Sequence, residues 1–191
     1  IKEVDGLKTV DYHRLRKVVR ITTRFLDNVI DANTYSVDKI ADMTRSTRKI
    51  GLGIMGFADM LMDMSIPYDS NEGVELGRSI MKFIREESDQ MSEELANVRG
   101  SFPEWQKSMY GPDGENRPMR NACRLTVAPT GTISMIAGCS SGCEPAFALS
   151  YHKHNILEGE SLVYVDKTFE RTAKEHGFYS DELMTYLADG G

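Results

Sequence analysis

From Asp69 to Gly100 the chain carries one unbroken helical pattern, part of a helical periodicity that fills its first two-thirds. Asp69 followed by Glu72 reads as a capping-box start, Ile80, Ile84, Met91, Leu95 and Val98 supply an apolar stripe, and Gly100 sits where a C′ glycine belongs. Upstream, Leu15, Val18, Val19, Phe25, Leu26, Val29 and Ile30 predict a helix over 10–30 with one apolar face and an exit at Asp31-Ala32-Asn33. Ser36 as N-cap opens a second helix carrying Val37, Ile40, Ala41 and Met43. Between about Lys49 and Met64 apolar residues fall on every side, which predicts a buried third helix, with Pro67 beyond its end.

After Pro103 the pattern changes. Residues 111–118 are rich in Gly, Pro, Asp and Asn and lack periodicity, so they form a surface loop. Cys123, Leu125 and Val127 then alternate with polar residues, as do Phe147, Leu149 and Tyr151, and Leu162–Val165 is a third strand candidate. Helices follow over about 166–176, stopped by Gly177, and from Ser180 onward. The expectation is an α/β chain, predominantly helical over 1–110, with strands, a turn and short helices over 119–191 and every strand in the last third.

At 191 residues, 40% hydrophobic and 27% charged, the chain has the composition of one folded domain. Its net charge of −6 argues against nucleic acid as a partner. No apolar run approaches the ~18 residues of a membrane span, and residues 1–5 do not resemble a signal peptide. An odd count of 3 cysteines favours a reducing cytoplasm. The first residue is Ile1, which reads as an excised piece.

Four motifs bear on chemistry. Gly51-Leu52-Gly53-Ile54-Met55-Gly56 is formally a G-x-G-x-x-G, but 44–49 is no strand and Asp69 belongs to a helix cap, so close packing outweighs nucleotide binding. His152 and His154 would share a strand face without carboxylate or cysteine at metal-ligand spacing; surface or structural roles are expected for both. Cys139 and Cys143 could form a disulfide, ligate something, or be small residues of a tight loop, the last being favoured. The stretch from Ala128 to Pro145 gathers hydroxyls and glycines after a strand. Thr130, Thr132 and Ser134 can donate hydrogen bonds, and Gly131 lets backbone come close, which suits an anion. On the residues alone, a turn whose hydroxyls satisfy their own backbone is the better reading.

The sequence resembles the large catalytic subunit of ribonucleotide reductases, most closely the adenosylcobalamin-dependent class II form. The resemblance rests on 48–59 (Arg-Lys-Ile-Gly-Leu-Gly-Ile-Met-Gly-Phe-Ala-Asp), Ile66-Pro67-Tyr68, Ala128-Pro129-Thr130-Gly131-Thr132-Ile133-Ser134, Ser140-Ser141-Gly142, Glu144-Pro145 and His176-Gly177-Phe178-Tyr179-Ser180. It implies part of a ten-stranded α/β barrel, and a reaction in which a thiyl radical drives replacement of a ribose 2′-hydroxyl by hydrogen. It further implies adenosylcobalamin as cofactor, a ribonucleotide substrate and a dithiol reductant such as thioredoxin, and it allows a homodimer. A substrate-phosphate role falls on Pro129, Thr130, Gly131, Thr132, Ile133 and Ser134.

The family's finger-loop Asn-x-Cys-x-Glu and its Cys-Asn-Leu-Gly sequence are absent from these residues. No catalytic cysteine is therefore assigned, and the segment alone is expected to be inactive. Cys123 is expected in the core. The alternatives are a class I catalytic subunit and, from a different class, a non-enzymatic helical domain that docks partners through some of its 11 methionines.

Overall fold

The computed structural model describes residues 1–153 and 161–190. A short hairpin opens the chain, β1 (Lys2–Val4) and β2 (Leu7–Thr9). This corrects the expectation that every strand lies in the last third. The turn is Asp5-Gly6 with φ of 52° and 79°, the backbone that a tight two-residue hairpin requires and that Asp-Gly accepts readily.

The remainder divides into two compact units. The first comprises Ile1–Lys2, Thr9–Gly53 and Glu75–Val127. Its α1 (Tyr12–Ala32) is opened by Asp11, whose carboxylate accepts the Arg14 N–H at 3.0 Å. The helix buries Val19, Thr23, Asp27 and Ile30, while Val18, Phe25 and Val29 stay exposed. The buried line is thus half polar, because its centre faces arginines rather than apolar side chains.

Asp27 is fully buried. Its Oδ1 accepts from Arg48 Nε at 2.9 Å and Asn121 Nδ2 at 3.0 Å, and its Oδ2 accepts from Arg99 at 2.9 Å. A buried carboxylate is tolerated only when compensated in this way. Arg48 also forks onto both oxygens of Asp31 at 2.8 Å, and its hydrogen bond holds the Asp31 carboxyl below its ordinary value.

Helix α2 (Asp38–Thr47) begins after Val37, without a side-chain cap, so Ser36 is not the N-cap. It ends at Arg48, which takes a left-handed conformation (φ 46°). Helix α4 (Asn71–Arg99) buries Ile80, Ile84, Leu95 and Ala96, and Gly100 leaves it with φ +85° as expected. Its cap is Ser70 rather than Asp69: Ser70 Oγ accepts the Gly73 N–H at 3.0 Å. Ser and Asp are comparable caps, and the helix starts one residue later than the pattern implied. A 3₁₀ turn at Pro103–Lys107 packs against α2.

The largest correction concerns Lys49–Met64, predicted as one helix. Residues 49–56 are non-helical and only Phe57–Asp63 form helix α3. Leu52 pairs in parallel with Leu125. Ile50 N–H donates to Cys123 O at 2.9 Å, Leu52 N–H to Arg124 O at 2.8 Å, and Thr126 N–H to Leu52 O at 3.0 Å. A continuously apolar run suits a parallel strand covered on both faces as well as a buried helix, and periodicity cannot tell them apart. The glycines decide it. A β-carbon on Gly51 would lie 2.8 Å from Thr126 Cγ2, and one on Gly53 3.0 Å from Thr126 O. Close packing was the right reason for these glycines, but on an extended segment. Cys123, expected in the core, is exposed, with Sγ 3.4 Å from Leu125 O, while Arg124 beside it is buried. The strand expected through Cys123, Leu125 and Val127 is reduced to the single bridge at Leu125.

The second unit comprises Glu3–Lys8, Ile54–Val74 and Ala128–Gly191. It holds α3, helix α5 (Gly131–Ala137), an antiparallel pair β3 (Ser150–Lys153) and β4 (Leu162–Val165), α6 (Lys167–Glu175) and α7 (Asp181–Ala188). Tyr151 faces Tyr164 in the register, with ring centroids 5.0 Å apart. The strand expected through Phe147 begins only at Ser150, and Phe147 is 94% exposed. The Asp166 carboxylate caps α6 and Ser180 Oγ caps α7, accepting the Leu183 N–H at 3.0 Å. Helix α7 packs on the strand pair, where Ser150 donates to Met184 O at 2.8 Å. Helix α6 packs on α3. His152 Nε2 lies 2.7 Å from Asp189 Oδ1; His154 lies outside the described residues. No helix among the described residues is long and apolar enough to cross a membrane.

Candidate functional site

The hydroxyl-rich stretch folds as an extended entry at Ala128-Pro129, a left-handed residue at Thr130 (φ 56°) and the helix α5. The positive φ at Thr130 bends the chain into the helix, and no side chain caps that end. In any α-helix the first N–H groups lack intrahelical acceptors. Here they belong to Gly131, Thr132 and Ile133, all exposed, and a β-carbon at Gly131 would meet nothing within 4 Å.

The three hydroxyls serve different ends. Ser134 is 2% exposed; its Oγ donates to Gly131 O at 3.1 Å and lies 3.0 Å from Ser141 Oγ. Thr130 Oγ1 accepts the Gly142 N–H at 2.7 Å. The Thr132 hydroxyl has no hydrogen bond among the described residues. Two of the three therefore hold the turn together and one faces outward, a division that spacing alone does not reveal. Pro129 is exposed and shapes the entry.

The loop 139–143 lies beneath this turn. Gly142 adopts φ +48°, and a β-carbon there would come within 3.0 Å of Ala128 O. Both backbone polar groups of Ser140 are held. Its N–H donates to Asp59 Oδ2 at 2.8 Å, and its carbonyl accepts the Gly56 N–H at 2.9 Å. Tyr68 Oη donates to Cys143 O at 2.7 Å. Asp59 Oδ1 is buried without a hydrogen-bond partner among the described residues, and burial, followed by the nearby Asp166 charge, pushes the Asp59 carboxyl above its ordinary value. Burial and the Asp59 charge together raise the Cys139 thiol. Cys139 and Cys143 are free thiols, in keeping with small residues of a tight loop. Asp59 and Tyr68 belong to the stretches that carry the family resemblance, but the sequence assigned them no role, because their partners lie some 75–81 residues away.

Beside α5 a cavity of about 630 Å³ is bounded by Ser134, Cys139, Glu144, Phe147, Tyr151 and Asp166, among others. Among the described residues no group of three or more His, Cys, Asp or Glu side chains could hold a metal ion.

A left-handed bend into a short helix, after an extended segment that pairs in parallel, is α/β architecture with an anion-compatible helix start. Residues 2–189 match the ribonucleotide reductase barrel domain. The chain is 52% identical over 188 residues to the vitamin B12-dependent ribonucleoside-diphosphate reductase of Thermoplasma acidophilum, covering 98% of this chain and 24% of that protein. It is 43% identical over 182 residues to the protein of the same name from Mycobacterium tuberculosis, covering 95% and 26%. The Actinobacillus ureae class Id ribonucleotide reductase alpha subunit superposes with a TM-score of 0.71 at 21% identity, over 91% of this chain and 31% of that one, which shows a common fold. This chain belongs to the ribonucleotide reductase barrel-domain family. It spans about a quarter of the length of the curated relatives it matches. Membership displaces the alternative of a non-enzymatic helical interaction domain.

Proposed function

We propose that these residues are the part of an adenosylcobalamin-dependent ribonucleotide reductase that holds the substrate's phosphates. The observation that carries the reading is the first turn of α5. There the exposed residues Gly131, Thr132 and Ile133 have N–H groups without an intrahelical acceptor, and the Thr132 hydroxyl has no partner among the described residues. Such groups stabilise negative charge by hydrogen bonds whose donors need no proton transfer. Gly131 leaves room for a phosphate oxygen to approach, while Thr130 and Ser134 brace the turn from behind. The names of the relatives at 52% and 43% identity favour a ribonucleoside diphosphate as substrate and vitamin B12 chemistry over class I.

The pairing of 50–52 with 123–126 supports a place in an α/β barrel. Each extended segment is followed in the chain by a helix, α3 or α5, the repeating unit of such barrels. Adenosylcobalamin supplies the radical in the full-length enzyme. None of the residues described here is assigned to it. A dithiol reductant such as thioredoxin, a homodimeric assembly and a cytoplasmic setting complete the reading.

Thr132→Ala, alone and with Thr130→Ala, in the full-length reductase is the test. Raised KM for the nucleoside diphosphate is expected, and an unchanged KM rejects the phosphate assignment.

A further inference from the structure

We propose that Asp59 is a positioning residue for the phosphate turn, acting through the loop 139–142 on which that turn rests. The inference rests on the phosphate reading of α5 and deepens it. The connection is continuous. Asp59 Oδ2 holds the Ser140 N–H at 2.8 Å, and the Gly56 N–H holds the Ser140 carbonyl at 2.9 Å. The next two residues contact the turn directly: Ser141 Oγ lies 3.0 Å from Ser134 Oγ, and the Gly142 N–H donates to Thr130 Oγ1 at 2.7 Å. Thr130 and Ser134 flank the three N–H groups offered to phosphate.

The loop is also held at its two ends, by the Cys139 N–H on Ser134 O at 3.1 Å and by Tyr68 Oη on Cys143 O at 2.7 Å, but Ser140 between them relies on Asp59 and Gly56. Gly142 sits at φ +48°, where a β-carbon would come within 3.0 Å of Ala128 O, and glycine gives such a segment wide conformational freedom when it is released. Burying a carboxylate whose second oxygen finds no partner among the described residues is costly. Helix α3 carries that cost at the one place where it fixes Ser140. Gly56 makes the grip possible: with φ +78° it turns its N–H to Ser140 as α3 begins, and a β-carbon there would lie 3.5 Å from Cys139 Cβ. The third glycine of the G-x-G-x-x-G run thus serves a phosphate site indirectly, without touching a nucleotide.

Full-length reductase carrying Asp59→Ala, Asp59→Asn, Ser141→Ala or Thr132→Ala decides the matter. KM and kcat are measured with the nucleoside diphosphate, and inhibition with the nucleoside lacking phosphates. Asp59→Ala is expected to raise KM about tenfold, as loss of one charge-assisted hydrogen bond does. In the same variant kcat at saturation changes less than about twofold and nucleoside inhibition is unaltered. Asp59→Asn, whose carboxamide oxygen still accepts from Ser140, restores most of the affinity. An unchanged KM in Asp59→Ala alongside a raised KM in Thr132→Ala overturns this inference and leaves the phosphate reading standing. Unchanged KM in both overturns the two together. Equal weakening of nucleoside and nucleotide marks a general structural role and also overturns it. If Asp59→Ala does not fold, Ser141→Ala decides: a raised nucleotide KM with unaltered nucleoside inhibition upholds the loop's role, and an unchanged KM removes it.

Discussion

Asp27 and Arg48 form an ion pair at 2.8 Å in which the carboxylate is fully buried and the guanidinium side chain 5% exposed. Burial works against the charge on Arg48, and its hydrogen bonds to Asp31 and Asp27 outweigh it, so its pKa is raised. Such a pair contributes little net free energy when intact, yet removing one partner strands the other. Arg48→Met is expected to destabilise the fold by about 3–5 kcal/mol. Arg99 also reaches Asp27, but its side chain is 27% exposed; Arg99→Met should cost distinctly less. Urea unfolding of the two variants compares them directly, and equal losses would contradict this ranking.

Thr126 makes different contacts with two glycines, and the difference is testable. At Gly51 a new β-carbon would meet the Thr126 methyl at 2.8 Å, whereas at Gly53 it would meet the Thr126 carbonyl at 3.0 Å. Either alanine variant should cost about 1–3 kcal/mol as overpacking. Thr126→Ser deletes the methyl and should rescue Gly51→Ala while leaving Gly53→Ala unrescued. Thermal unfolding of the four variants gives the answer; rescue of both, or of neither, would refute the geometry.

Ser70 rather than Asp69 caps α4. Ser70→Ala should therefore destabilise by about 1 kcal/mol, and Asp69→Ala by a few tenths at most. A larger effect at Asp69 in chemical denaturation would restore the capping box with Glu72.

Helices were legible where one face met the core and caps were local. Of the stripe, Ile80, Ile84 and Leu95 are buried, whereas Val98, placed on the same stripe, is 83% exposed. The helix end at Gly100 and the Ser180 cap lie where the pattern placed them. The run 49–56 was not legible, because a segment apolar on all sides carries no period and its partner at 123–126 lies more than seventy residues away. The same holds for the candidate site. Thr130, Gly131, Thr132 and Ser134 stood out as donors, but which hydroxyl is spent inside the turn depends on Ser141 and Gly142 folding beneath it. Asp59 stood at the end of a family-like stretch, but its role was not legible, since a carboxylate on an apolar helix becomes informative only once Ser140 is known to touch it.

Asp59 and Asp31 should pull the pH dependence of stability in opposite directions. Both start from an ordinary value of 3.8; burial raises Asp59, and the Arg48 hydrogen bond lowers Asp31. A raised folded-state value means that the native protein holds the proton more tightly than the unfolded chain. The contribution from Asp59 is therefore fully present below 3.8 and is lost as pH rises through its folded value. The contribution from Asp31 is present above 3.8 and is lost as pH falls through its lowered folded value. Asp59→Asn removes the first dependence, so the Tm of this variant relative to the parent should climb as pH is raised from about 4 toward neutrality. Asp31→Asn should do the reverse, losing ground to the parent over the acidic range as pH rises, because only the parent gains the Arg48 bond. Parallel melting curves for parent and variants across that range are the measurement. A Tm difference for Asp59→Asn that is flat or falls with pH would show that burial does not dominate that carboxyl.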